Sequence, residues 1–144
     1  MPNTPPQLMA NGNIRPLRFV KIDVSADEKG IQATDNSKIV GVSQPGTNFP
    51  PLNDSHVTLD GMAAIAGETF QLYGEGDDGV LVEIGAAVVR GDYLKSDSVG
   101  RAVPIATSGT TLQRYGAEAL QSGAAAGEFI RVHVRIGSER PAIA

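Results

Sequence analysis

Apolar and polar residues alternate along much of this chain, which is the pattern of half-buried β-strands. The clearest case is residues 130–136, where four aliphatic side chains fall on one face, and residues 20–24 and 80–84 repeat it. Shorter strands are predicted at residues 39–42, 69–73, 86–89 and 102–105. Gly- and Asp-rich turns separate these segments. The best helical candidate, residues 117–121, is short, so the pattern predicts an all-β fold: a compact barrel or sandwich of short antiparallel strands.

Part of the sequence is repeated. Residues 64–68 (Ala-Ile-Ala-Gly-Glu) and 124–128 (Ala-Ala-Ala-Gly-Glu) differ at one position, and each leads into a predicted strand. Two further blocks agree in the same order, 25–30 with 95–100 and 39–43 with 114–118. This alignment matches Gly30, Gly41 and Gly67 with Gly100, Gly116 and Gly127. Chance matches occur in a chain rich in Gly and Ala, but agreement in order across three blocks favours a duplicated β-unit.

The sequence predicts one β-domain, residues 17–144, preceded by an arm, residues 1–16. Within the domain, the two repeat-like units are expected at about residues 20–86 and 90–137. The first unit carries a loop insertion at residues 44–62, which is rich in proline.

The arm is proline-rich and has no hydrophobic periodicity, so we expect it to be extended and without structure of its own. It is either a frayed terminus or a segment that adds a strand to a partner. In the second case it is mobile in the free protein and becomes ordered on binding. The residues expected to contact the partner are Leu8, Met9, Ile14, Arg15 and Pro16.

Composition narrows the class of protein. Of the 144 residues, 41% are hydrophobic and 19% charged, as in a folded globular domain. The net charge of −4 argues against nucleic acid as a partner. No signal peptide and no apolar run long enough to span a membrane is recognised, so we expect no membrane partner and synthesis in the cytoplasm. The chain has no cysteine and therefore no disulfide framework.

Several short motifs suggest chemistry only superficially. Residues 74–79 match the dinucleotide fingerprint, but a strand follows them and three carboxylates would repel a phosphate, so a turn is predicted. Their spacing does not fit a calcium loop. The tripeptide 90–92 (Arg-Gly-Asp) is also predicted to be a turn. His56 and His133 have no second metal ligand nearby, and Ser55 lies in no nucleophile motif. We expect no enzyme, no cofactor and no metal site.

One polar face could have a function. Arg131, His133 and Arg135 share one side of the last predicted strand. They either form a solvated face, paired across strands with Glu83 or Glu128, or contact an acidic partner. Leu81 lies on the otherwise polar face of its own strand and is a candidate for contact between copies.

A family resemblance rests on the order and spacing of several segments. They are residues 11–21, 39–46, 64–68, 88–95 with the core Gly91-Asp92-Tyr93-Leu94, 116–119 and 127–136. Together they are similar to the capsid decoration, or cement, proteins of tailed bacteriophages. The resemblance implies a small β-rich structural protein that binds the outside of an assembled head and stabilises it. Such proteins often form trimers and in some phages dimers, and the family has no catalytic residues.

The resemblance and the residues lead to one expectation. The chain is a virion structural protein on the capsid exterior, bound to the major capsid protein of a tailed phage and self-associated as a homotrimer, with a dimer as the alternative. A second hypothesis is a fibre or baseplate component that binds a receptor or glycan, and a hydrolase is the third. Copy number on the virion would separate the first two.

Overall fold

The computed structural model describes residues 7–44, 66–106 and 109–139. All regular structure in these ranges is β, which confirms the all-β fold predicted from the alternating pattern. The ten strands of the described ranges are β1 Gln7–Ala10, β2 Phe19–Ile22, β3 Lys29–Gln32, β4 Gly41–Ser43, β5 Thr69–Tyr73, β6 Val80–Glu83, β7 Tyr93–Ser96, β8 Ala102–Pro104, β9 Gln113–Ala119 and β10 Phe129–Glu139. Within the described ranges there is no helix of the length and apolarity needed to cross a membrane.

The strands form two units of the same topology. The first unit, β1–β5, is a closed barrel in the order β1-β3-β2-β4-β5. The second unit, β6–β10, is a five-stranded sheet in the order β6-β10-β9-β7-β8. A parallel bridge from Ile84 to Ala102 connects the end of β6 to β8, so the second unit has the same circular order of strands.

The two units also share their register. Met9 of β1 is opposite Thr69 of β5, and Glu83 of β6 is opposite Phe129 of β10 in the same way. On the other side of each unit, Val20 pairs with Gly41, and Leu94 pairs with Ala117. Each strand of the first unit therefore has a counterpart in the second: β1 and β6, β2 and β7, β3 and β8, β4 and β9, β5 and β10.

The two Ala-Gly-Glu segments lie at matching turns. Gly67 and Gly127 have left-handed φ angles of 91° and 94°, which glycine adopts without steric cost. Gly67 N–H donates to the carbonyl of Ala10 at 2.8 Å, and Gly127 N–H donates to the carbonyl of Ile84 at 2.9 Å. Each turn thus fastens the first strand of its unit to the last.

The unit boundaries differ from those expected. Residues 80–83, assigned by sequence to the first unit, form the opening strand of the second. The observed register also changes the correspondence of two glycines that the sequence alignment had matched. Gly41 corresponds to Ala117 instead of Gly116, and Gly30 corresponds to Ala102 instead of Gly100. Sequence comparison fails here because turns of different length separate short strands, and a slip of one residue reverses which face a side chain occupies.

The N-terminal segment departs most from expectation. Residues 7–10, predicted to belong to an extended arm without structure of its own, form β1 and close the barrel by pairing with both β3 and β5. Ile14 is fully buried in the barrel interior with Val20, Phe70 and Leu72. Residues 1–6 and most of the expected loop insertion, residues 45–62, lie outside the described ranges.

A second buried cluster joins the two units. It contains the interior of the second unit together with four first-unit side chains that point away from their own barrel, namely Phe19, Ala33, Ile39 and Val42. Burial of such apolar side chains is worth on the order of 1.5–3 kcal/mol each for the larger ones. The units are therefore packed together through one face of the first.

Candidate functional surfaces

A largely buried ion pair crosses the junction of the two units. The guanidinium of Arg18, in the first unit, lies 3.1 Å from the carboxylate of Glu83, in the second. Arg18 also donates to the carbonyl of Val99 at 2.8 Å. Arg101 is 4.0 Å from the same carboxylate and pairs with Asp97 at 3.2 Å. Because Arg18 is only 9% exposed, this network is a structural element of the junction.

The segment between β3 and β4 forms the other half of the junction. Asn36 donates its side-chain amide to the carbonyl of Leu112 at 2.9 Å and accepts the N–H of Arg114 at 3.0 Å. Its own N–H donates to the carbonyl of Ser96 at 3.1 Å. Next to it, Ile39 packs over Gly116, where an added Cβ would lie 2.7 Å from the Ile39 side chain. Four residues of the second unit, Ser96, Leu112, Arg114 and Gly116, therefore contact this segment.

The polar face of β10 is paired across strands, but with other partners than Glu83 or Glu128. Arg131 donates to the carbonyl of Gly79 at 2.7 Å. His133 Nδ1 lies 3.5 Å from Asp78, and Arg135 lies 3.9 Å from Glu118.

Both expected partner carboxylates are engaged elsewhere. Glu83 binds Arg18 at the junction, and Glu128 accepts the N–H of Ala125 at 2.8 Å within its own turn. Leu81 is directly opposite Arg131 and half-buried. Since Arg131 and Arg135 stay exposed, contact of this face with a partner remains a prediction.

The residues predicted to contact a capsid from the arm are placed unequally. Leu8 packs against the barrel interior and Ile14 is fully buried, so neither is available to a partner. Met9 is 42% exposed, Arg15 is exposed and Pro16 is half-buried. Because β1 is paired on both sides, residues 7–10 have no free strand edge to add to another sheet.

The motifs that resembled chemical sites lie in turns. Residues 74–79 connect β5 to β6, with Asp77 accepting the N–H of Gly74 at 2.8 Å, and residues 90–91 form the turn before β7. No group of three or more metal-ligating side chains comes together in the part of the chain that the structure describes. Ser55 and His56 lie outside it.

Asp23 has a strongly perturbed carboxylate. The side-chain amide of Asn11 donates to it, and the hydroxyl and N–H of Ser25 donate at 2.7 and 2.9 Å. These hydrogen bonds, that of Asn11 first, lower the pKa of Asp23 to about 2. Asp97 has the same place after β7 and accepts the N–H of Val99 at 2.9 Å. Both carboxylates shape the turn that follows their strand.

A cavity that the sequence did not suggest opens on the first unit. It measures about 700 Å³ and is mainly apolar. Its lining includes Lys21, Ile22, Val24, Ile31, Lys38 and Val40. Val24, which the alternating pattern placed on the buried face of a strand, lies after the end of β2 and is 97% exposed. Because β2 ends at Ile22, the alternating pattern did not indicate that Val24 would be exposed at this cavity.

Comparison with known proteins identifies the fold. No protein-family model and no curated protein matches the sequence. Among solved structures, the chain is similar to the N base of the head fibre gp8.5 of bacteriophage phi29, with a TM-score of 0.55 and 18% sequence identity. The likeness covers 89% of this chain and 90% of that one. At this level of identity it establishes a shared fold.

Proposed function

We propose that this protein is a structural component of a tailed-phage virion, a decoration or cement protein that binds the outer surface of the assembled head through the major capsid protein and stabilises the shell. The observation that supports a virion structural role is the fold, which matches the base of a phage head fibre over nearly all of both chains. Within that role, the sequence resemblance to cement proteins favours decoration of the capsid exterior.

The architecture suits a binding role without chemistry. Two packed β-units give a rigid surface, and many copies on a shell allow each contact to be weak, because binding to several neighbours multiplies affinity. Since β1 is already paired on both sides, the contact is made by side chains and not by strand addition from residues 7–10. The exposed candidates are Met9 and Arg15 near the N-terminus and Arg131 on β10.

The test is binding to heads that lack the protein. Purified full-length chain is mixed with such heads, and bound protein is separated by sedimentation. We expect saturable binding, with a copy number set by the capsid lattice, and heads that resist heat or low salt better than bare heads. A full-length chain that stays in the supernatant at all concentrations would overturn the proposal.

Two variants distinguish the candidate surfaces. Arg15→Glu reverses a charge near the N-terminus, and Arg131→Glu reverses one on β10, each at an exposed side chain. We expect one of them to reduce head binding at least tenfold, about 1.4 kcal/mol, with an unchanged melting temperature. The other then serves as the matched control.

A second candidate is the base of a head fibre, favoured by the identity of the similar structure. In that case copies bound to the head carry a projecting density beyond the two β-units and are fewer than for a cement protein. An electron-cryomicroscopy map of decorated heads separates the two, since a cement protein leaves no density above its own domain.

A further inference from the structure

The junction inside the chain is built from two different surfaces. The first unit contributes an apolar face with Phe19, Ile39 and Val42, which belong to the same buried cluster as the interior of the second unit. The second unit contributes the positions around Ser96, Arg114 and Gly116, where the main contacts of Asn36 and Ile39 are made. Because the units share one topology, each surface has a counterpart on the other unit.

The counterpart of the apolar face lies on the second unit and is partly exposed. In the shared register, Phe19 corresponds to Tyr93 and Val42 to Glu118. Ile39 and Tyr115 each lie two residues before a paired position, Gly41 or Ala117. These counterparts, Tyr93, Tyr115 and Glu118, define the tyrosine face.

The tyrosine face is ordered but not buried. The rings of Tyr93 and Tyr115 stack with centroids 4.4 Å apart. Both are half-buried, whereas Phe19 and Ile39 in the first unit are almost completely covered. Stacked tyrosines combine a large apolar area with polar hydroxyls, which is the composition found at the centre of protein interfaces.

The counterpart of the receiving surface lies on the first unit and coincides with the cavity. Ser96 corresponds to Ile22, since they pair with Ala102 and Gly30 at matching places. Arg114 and Gly116 correspond to Lys38 and Val40 by the same register.

These three counterparts, Ile22, Lys38 and Val40, all line the cavity. Within the chain, Ile39 packs into the space left by the missing side chain of Gly116. The cavity, with a volume of about 700 Å³, is large enough to take a tyrosine side chain in the corresponding place.

We propose that the tyrosine face of one copy docks into the cavity of a second copy, so that the junction within the chain is repeated between chains. The occupant is a second copy because the counterparts of these two surfaces, the apolar face with Phe19 and Ile39 and the positions around Gly116, already bind each other within one chain. The two surfaces of this interface differ, so association is head-to-tail and either closes into a ring or continues as a filament. The inference does not depend on binding to a phage head.

Self-association is tested in solution, without heads. Sedimentation velocity of the full chain over increasing concentration should show association that Val24→Asp weakens at least tenfold, since Val24 lines the cavity and is 97% exposed. Val89→Asp is the matched control, an exposed aliphatic residue that belongs to neither surface. A full chain that remains monomeric up to about 1 mM, or equal weakening by both variants, would overturn the proposal.

A mixing experiment tests the head-to-tail geometry. Val24→Asp places a charge in the lining of the cavity, and Tyr93→Asp places one on the tyrosine face. Each variant therefore lacks one of the two docking surfaces, and neither should associate by itself. Their mixture should form a discrete heterodimer, because each variant keeps the surface that the other has lost. Glu118→Arg, at a partly exposed ion pair, replaces Tyr93→Asp if that variant does not fold. A mixture that stays monomeric would show that the two surfaces do not bind each other.

Discussion

Glu28 and Gly100 occupy the same place in the two units, in the turns that precede β3 and β8, and both have left-handed φ angles, 57° and 82°. Glycine adopts this conformation freely, whereas a residue with a Cβ is strained by roughly 1–2 kcal/mol. The second unit has glycine at this position and the first has an exposed glutamate. The structure therefore contains a site where the first unit is locally strained and its counterpart is not.

Replacing Glu28 by glycine should stabilise the protein. Relief of the left-handed strain should raise the free energy of unfolding by about 0.5–1 kcal/mol after the greater entropy of the unfolded glycine is deducted. Asp27→Gly is the control, because Asp27 is exposed in the same turn and lacks a positive φ, so that variant should lose stability. Urea denaturation of both measures the difference, and a destabilised Glu28→Gly would contradict it.

Removing the carboxylate at the junction should destabilise the protein. Glu83→Gln leaves the guanidinium of Arg18 without its anionic partner, while Arg101 keeps Asp97, and the change should cost about 1–3 kcal/mol of unfolding free energy. Glu118→Gln is the matched control, since its ion pair with Arg135 is longer and more exposed and should be worth less than about 1 kcal/mol. Equal losses from the two variants would show that the ion pair at the junction stabilises the fold no more than an exposed ion pair does.

Close packing across the junction makes Gly116 sensitive to substitution. In Gly116→Ala the new Cβ meets the buried Ile39 side chain at 2.7 Å, so we expect a loss of roughly 1–3 kcal/mol. Combining it with Ile39→Ala removes the clashing atoms, and the double variant should be more stable than the sum of the two single losses predicts. Additive losses in denaturant unfolding would mean that the two residues do not contact.

The stability of the fold should depend on pH through Asp23. Its pKa is about 2 in the folded state, below its usual value of 3.8. The ionised carboxylate therefore stabilises the fold above about pH 4, and this contribution disappears as the pH falls from about 4 to 2. Asp23→Asn should be less stable than the natural chain at pH 6 and nearly as stable at pH 2. Asn11→Ala removes the hydrogen bond that lowers the pKa of Asp23 most, so it should raise this pKa and weaken the pH dependence of stability. NMR titration of Asp23 measures the change in pKa.

Truncation tests the role of β1. Deleting residues 2–10 removes the strand that closes the first barrel, and should cost about 3 kcal/mol or more through lost strand pairing and lost burial of Leu8 and Ala10. Deleting residues 2–5 leaves β1 whole and is the control. An unchanged thermal midpoint after the longer deletion would mean that residues 7–10 are an arm, as the sequence suggested.

Part of this fold is determined by local sequence. Residues 69–73, 80–84 and 130–136 follow an alternating pattern, broken only at Leu81, and each becomes a strand within one or a few residues of the expected bounds, because a half-buried strand requires period two. The turn at Gly67 and its repeat at Gly127 were also visible, because glycine is needed where φ is positive. The all-β class followed from these features alone.

Tertiary pairing decided the rest. The segment 7–10 has no pattern of its own, and it is a strand because β3 and β5 provide partners on both sides. In β9, residues 117–119 belonged to the best helical candidate, yet they lie between β7 and β10. Ile39 and Tyr115 occupy matching positions in the two units, but packing between the units buries Ile39 and leaves Tyr115 partly exposed. Hydrogen bonds between distant strands and burial between units are non-local, so residues with weak local preferences take their structure from neighbours that the linear sequence does not reveal.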